Sequence, residues 1–481
     1  MAALIGRQQE QQELEDLYNN DRAEFVVVYG RRRIGKTYLV NETFRGRITF
    51  HHAGLSPVET IDKEDILKEQ LLHFYNSLIT YGVKKSKCPS SWLEAFFMLQ
   101  MHLQSIDNGK RQVVFLDELP WMDTPRSGFI RALEGFWNTW ACSRHNFMLV
   151  VCGSATSWIL DNLINNHGGL YGRVTYEVKL SPFTLKECEE FFNSRNVKMS
   201  RYDIVQSYMM LGGIPYYLNY FKKGASLVQN IDRMFFARKA VLRDEYDRLF
   251  SAIFSNPDDM KRIVKVLSTR HSGFSRQDIL KKTGISDNGS ASKLLKALEA
   301  SDFVLRYVPF GADRRTEYYK LTDQFCLFYL QWVAESDKMN PEFWMRTYAT
   351  QSVAIWRGFA FEEVCLAHID QIKAALGISG ISTTQSAWAL RGDDDVDGTQ
   401  IDLIISRKDN VVNMCEMKFY GDEYVVNSAY ERKLAHRQIL LAEKLNRRTV
   451  IYPVLITTYG LTYNEYSGSF THTVVMDDLF K

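Results

Sequence analysis

The chain has 481 residues, 46% hydrophobic and 24% charged, proportions that exclude a disordered, collagen-like or low-complexity protein. Its 59 Lys and Arg face 57 Asp and Glu for a formal charge of +2, so bulk charge selects no partner and any nucleic-acid signal has to be local. At roughly 100–200 residues per domain, this length predicts three or four domains. The seven cysteines are widely spaced, with no C-x-x-C pair. That excludes a zinc ribbon or a disulfide scaffold and predicts buried thiols in a reducing compartment. No leader-like opening and no run of roughly 18 apolar residues is present. The expectation is a cytoplasmic protein with no membrane partner.

In chain order, residues 10–18 read as a polar amphipathic helix. The runs 25–29, 113–116 and 147–151 are continuously β-branched, aliphatic or aromatic, as strands buried on both faces are. Helical patterns over 91–106 and 129–139 separate them, and 174–180 is strand-like. Strands alternating with helices predict a mostly parallel, helix-covered sheet over 1–180. Residues 184–243 are helical around a Gly212-Gly213-Ile214-Pro215 breaker, within a segment 181–255. The pattern then changes to helices at 261–269, 275–283 and 288–300 and strands at 303–309 and 317–321. Three helices and a hairpin predict a winged helix–turn–helix over 256–335. The last block, 341–481, predicts a helix at 351–369, strands at 401–406 and 411–419, a helix at 427–445 and a strand at 449–457.

Gly30-Arg31-Arg32-Arg33-Ile34-Gly35-Lys36-Thr37 matches G-x-x-x-x-G-K-[ST] between a predicted strand and a predicted helix, which is the context the P-loop requires. Loop and helix N–H groups would hold phosphates of ATP, with Gly30, Arg31, Arg32, Arg33, Ile34, Gly35 and Tyr38 as binding residues. Lys36 would reach the β- and γ-phosphates and the Thr37 hydroxyl would bind Mg²⁺. The run Val113-Val114-Phe115-Leu116 ends in Asp117-Glu118. Asp117 suits a Mg²⁺ ligand, and Glu118 the residue that polarises the attacking water; a helix cap is the alternative. Ser154, with Thr156 behind it, is a candidate γ-phosphate sensor or, equally, a helix cap. Arg173 is a candidate arginine finger, supplied across a homo-oligomer, or an ordinary surface arginine.

Over 260–334, 13 Lys and Arg face 7 Asp and Glu, a local balance of +6. Ser290, Ser292, Lys293 and Lys296 on the third helix, and Arg314 and Arg315 at the wing tip, are candidate contacts to double-stranded DNA. A protein-binding role is the alternative. In the last block, Asp402 precedes Glu416 by fourteen residues and Lys418 follows two later. An i, i+2 pair shares one strand face, and the turn 407–410 would fold Asp402 back beside it. With Glu362 from the helix, these carboxylates could hold Mg²⁺ against a phosphodiester, with Lys418 beside the attacking water. The set resembles the PD-(D/E)XK nucleases; a cross-strand ion pair is the alternative. Asp393-Asp394-Asp395 and Asp397 lack the spacing of a Ca²⁺ loop and read as a solvated turn.

The ordered set Ile5-Gly6-Arg7 with Glu10, the P-loop, Leu116-Asp117-Glu118, Gly172-Arg173 and Gly212-Gly213-Ile214-Pro215 resembles the prokaryotic AAA+/STAND-type "archaeal ATPase" family over nearly the whole chain. The resemblance implies an α/β P-loop ATPase core, a helical lid, a winged helix and a restriction-endonuclease-like C-terminal domain. It also implies that Gly6 and Arg7 lie near the adenine and that 213–216 begin a lid helix. Three arginines in the loop are a departure, and no lid arginine is evident. The expected function is Mg²⁺-dependent ATP hydrolysis acting on or regulated by DNA. An ATP-switched binding protein with a silent nuclease-like domain, and a protein-directed ATPase, are the alternatives.

Overall fold

The computed structural model describes residues 4–56, 63–165, 168–254, 256–313, 316–336, 340–390 and 399–481. The chain forms two compact units, residues 1–182 with 251–255 and residues 183–250 with 256–481.

The first unit is built on strands β1 (Glu24–Tyr29), β2 (Ile48–Ala53), β3 (Gln112–Asp117), β4 (Phe147–Gly153) and β5 (Tyr176–Lys179). They form a parallel sheet in the order β2-β3-β4-β1-β5. Every residue of β1, β3 and β4 is buried, as strands covered by helices on both faces must be. One layer of that cover is the helix Trp92–Ser105, started by Ser91, whose side chain accepts from the Glu94 N–H. Trp92 and Phe96 from this helix pack on Phe74 and on Phe129 of the helix Phe129–Thr139. At about 1.5–3 kcal/mol for each large side chain removed from water, this aromatic layer is a main source of the unit's stability. Since parallel strands end together, the C-termini of β1, β3 and β4 share one rim of the sheet.

In the second unit, the helices Leu185–Ser194 and Arg201–Leu211 come first. Gly212 ends the latter in the left-handed conformation. At Gly213 a Cβ would lie 2.4 Å from the Phe183 carbonyl oxygen, so only glycine fits. The expected helix after it is the single turn Pro215–Leu218. Next come helices Pro257–Leu267, Arg276–Thr283 and Gly289–Ala300, with a small antiparallel sheet of β6 (Phe274–Ser275), β7 (Val304–Tyr307) and β8 (Tyr318–Leu321) in the order β6-β8-β7.

A larger sheet comes after it, of β9 (Thr383–Leu390), β10 (Thr399–Arg407), β11 (Val411–Lys418), β12 (Val450–Thr457) and β13 (His472–Val475), in the order β13-β12-β11-β10-β9. Strands β9 to β11 pair antiparallel and β11 to β13 parallel. The helix Ser428–Glu443 is the crossover between β11 and β12. Arg314, Arg315 and the Asp393–Asp397 run lie outside the described residues. Among the described residues no helix is long and apolar enough to cross a membrane.

Candidate active site

The P-loop joins β1 to the helix Lys36–Thr43. Its glycines are dictated by geometry. Gly30 has φ 137°, and a Cβ there would sit 2.3 Å from the Leu180 carbonyl oxygen. Gly35, with φ 92°, is the helix N-cap. Among the loop arginines, Arg31 is buried and Arg33 takes φ 72°. Ile34 is buried under the loop, whereas Tyr38 is exposed on the first turn of the helix. Arg7 is buried, donating to Glu10 and to the Ser181 carbonyl just past β5. Gly6 beside it is buried as well, with φ 64°.

Strand order assembles the rest. Strand β4 lies between β1 and β3, so the residue leaving β4 can touch the segments that leave both neighbours. Ser154 does so. Its hydroxyl is 3.1 Å from Lys36 Nζ and donates to Glu118 Oε1 at 2.8 Å, while its N–H donates to Glu118 Oε2 at 3.0 Å. Lys36 also donates to the carbonyls of Gly30 and Arg31 at 3.0 and 3.1 Å. Burial pulls the Lys36 ammonium below the usual lysine range, against the Glu118 and Asp117 carboxylates, which favour its charge. Thr37 Oγ1 donates to Asp117 Oδ2 at 2.8 Å. These neighbouring oxygens are the donor type a hard divalent cation takes.

Neither capping alternative describes these side chains. Glu118 stands at the N-cap of the turn Leu119–Met122, yet its side chain makes no capping bond. Its φ of 45° and ψ of 49° put a non-glycine residue in the left-handed region, at a cost on the order of 1–3 kcal/mol. Ala155 caps the turn Thr156–Ile159. Thr156 is buried with no hydrogen-bond partner for its hydroxyl among the described residues. Arg173 is exposed, and among the described residues no hydrogen bond or ion pair joins it to the loop or to Glu118.

The C-terminal candidates also converge. Leu403 pairs with Cys415 across β10 and β11, which sets Asp402 beside Glu416. Lys418 Nζ lies 3.9 Å from Asp402 and 3.4 Å from Glu416. Glu362 comes from the helix Gln351–Ala367. Burial first, then the charge of Asp402, pushes the Glu362 carboxyl up to about 8, against the pull of Lys320 and Lys418. Two residues missed in the sequence control this cluster. Both oxygens of Glu416 are occupied, one by the Arg437 guanidinium and the other by Tyr430 Oη at 2.7 Å. Tyr430 and Arg437 are seven residues apart on the helix Ser428–Glu443, a spacing that puts them on one face and was the available signal. Among the described residues no three His, Cys, Asp or Glu side chains are arranged to hold a metal ion.

The helix Gly289–Ala300 buries Ala291, Leu294, Leu295 and Leu298 and leaves Ser290, Ser292, Lys293 and Lys296 exposed.

The parallel sheet and its phosphate-loop rim are those of a P-loop ATPase. Residues 4–221 match the model of a family described as an ATPase domain predominantly from Archaea, and the chain is an ATPase. An uncharacterized protein of Methanocaldococcus jannaschii is 24% identical over 343 residues, covering 69% of each chain. Among solved structures, a Walker-type ATPase of Pyrococcus abyssi is 20% identical, with a TM-score of 0.47 over 68% of this chain and 96% of that one. The Aeropyrum pernix ORC2 protein, in ADPNP and ADP complexes, is 14% identical, with a TM-score of 0.41 over 72% and 96%.

Proposed function

We propose that the protein is a Mg²⁺-dependent ATPase whose hydrolytic cycle is coupled to double-stranded DNA. The observation that carries the reading is the placement of Ser154 between Lys36 and Glu118. Thr37 and Asp117 would hold Mg²⁺, which would supply charge neutralisation at the phosphates. The loop N–H groups from Gly30 to Lys36 cradle the phosphates, and Gly6 and Arg7 border the adenine. Lys36 leaves its loop carbonyls for phosphate oxygens. Glu118, released from Ser154, orients the attacking water, and Arg173 from a neighbouring copy approaches the γ-phosphate.

In this reading residues 181–255 form a lid, and the helices Pro257–Leu267, Arg276–Thr283 and Gly289–Ala300 with β6 to β8 form a winged helix. Lys293 and Lys296, three residues apart and exposed, lie along the DNA backbone. ATPase rates with and without duplex DNA, beside mobility shifts across a salt series, test the coupling. DNA that neither binds nor changes the rate would leave a protein-directed ATPase.

The C-terminal sheet reads as a nuclease-like fold at residues 341–481. One observation favours the silent form of that domain: Arg437 and Tyr430 already occupy Glu416. Nicking of supercoiled plasmid with Mg²⁺ or Mn²⁺, with and without ATP, decides between a cutting and a silent site.

A further inference from the structure

The carboxylate of Asp117 is approached from three elements. Its Oδ2 accepts from Thr37 Oγ1 at 2.8 Å, from the P-loop helix. Its Oδ1 accepts from the Glu118 N–H at 2.8 Å and meets the Cys152 thiol. Cys152 is fully buried on β4. The register pairs Val151 with Leu116, so the next residue on each strand brings Cys152 alongside Asp117.

We propose that Cys152 is a positioning residue for ATP hydrolysis. Its S–H, donated to Asp117 Oδ1, fixes the carboxylate so that Oδ2 keeps facing Thr37 and the cation held there. The inference rests on the reading of Thr37 and Asp117 as the Mg²⁺-holding pair. A carboxylate tied through one oxygen can still turn about its Cβ–Cγ bond. Donors on both oxygens, from different elements, remove that freedom. The Glu118 N–H lies on the turn that leaves β3, at a residue in the left-handed backbone region. Cys152 sits on a buried central strand and supplies the donor that stays in place.

Three substitutions separate hydrogen bonding from packing. Cys152→Val loses the donor and adds bulk, Cys152→Ala loses the donor and leaves space, and Cys152→Ser keeps a donor at nearly the size of alanine. The measurement is Mn²⁺ titration of the full-length protein by electron paramagnetic resonance, with a non-hydrolysable ATP analogue present. Thermal unfolding of each variant confirms the fold, and Cys152→Ala replaces Cys152→Val if valine is not accommodated. Cys152→Val should raise the Mn²⁺ dissociation constant about 10–100-fold, the range seen when the partner of a metal ligand is removed. Cys152→Ser should stay near wild type, and affinity for the nucleotide without metal should not change in either variant. Asp117→Asn is run beside them. Loss of Mn²⁺ affinity in Asp117→Asn with wild-type affinity in Cys152→Val overturns the role of Cys152 alone, as does equal loss in the serine and valine variants. Unchanged affinity in Asp117→Asn overturns the reading of Asp117 itself.

Discussion

Ser154 binds Glu118 twice, through its N–H at 3.0 Å and its hydroxyl at 2.8 Å, and so holds the proposed catalytic carboxylate in a left-handed backbone conformation. The same hydroxyl lies 3.1 Å from Lys36 Nζ. In the proposed cycle, Ser154 would restrain Glu118 before nucleotide arrives and guide it afterwards.

Glu118→Gln should retain ATP binding and lower turnover by about 10²–10⁴-fold, since an amide does not activate water. Ser154→Ala should lower turnover by about 10–100-fold, as residues that orient a reacting group do, with a smaller change in ATP affinity. Lys36→Ala should lose both. Steady-state ATPase rates beside equilibrium nucleotide binding read all three, and wild-type turnover in Glu118→Gln would remove its catalytic role.

Neutralising Lys293 and Lys296 together should weaken duplex binding about equally across sequences. The slope of log affinity against log salt should fall by up to about 2. An unchanged slope would mean that this helix face does not meet phosphate.

Two groups of the second unit, the half-buried Glu362 and the buried His368, give stability opposite pH slopes. Glu362 is raised from 4.5 to about 8, so the folded state binds this proton more tightly. Its contribution is full below 4.5 and is lost as pH rises through about 8. His368 is lowered from 6.5 to about 4, burial being the main cause. Its Nε2 accepts from the Leu185 N–H at 2.9 Å, which requires the unprotonated nitrogen. That contribution is present above 6.5 and is lost as pH falls through about 4. Urea midpoints against pH should therefore peak between these limits, and Glu362→Gln should flatten the alkaline side.

Removing Arg437 should destabilise the second unit by about 3–5 kcal/mol, because Glu416 would be left as a buried charge without its main partner. The double substitution Arg437→Met with Glu416→Gln should recover most of that loss. Denaturant unfolding followed by tryptophan fluorescence measures both. A single substitution without effect would show that the pair is not stabilising.

The sequence made β1, β3 and β4 legible because strands covered on both faces are written as unbroken apolar runs. Strand β2, Ile-Thr-Phe-His-His-Ala, was not legible. Its histidines are held by tertiary partners, with His51 stacked on Phe115 and His52 bonded to Ser77 at 2.9 Å. Strands β9 and β13 lack a strong apolar pattern and depend on pairing with β10 and β12. At the nucleotide rim, spacing identified Lys36, Thr37, Asp117, Glu118 and Ser154. Cys152 escaped notice because a cysteine in a buried strand reads as filler. At the C-terminal cluster, the strand pattern gave Asp402, Glu416 and Lys418, but the helix that supplies Tyr430 and Arg437 carries no motif of its own.

A lysine ammonium has three protons to donate, and Lys36 faces three acceptors: the Gly30 carbonyl, the Arg31 carbonyl and the Ser154 hydroxyl. The cation most attractive to anions is therefore already satisfied by the protein. A lone sulfate or orthophosphate that drew Lys36 away would gain one charged contact and forfeit these bonds. A polyphosphate chain can add the loop N–H groups along its length and repay the exchange. On this geometry, a chain of phosphates that engages Lys36 together with several loop N–H groups should bind more tightly than a single anion.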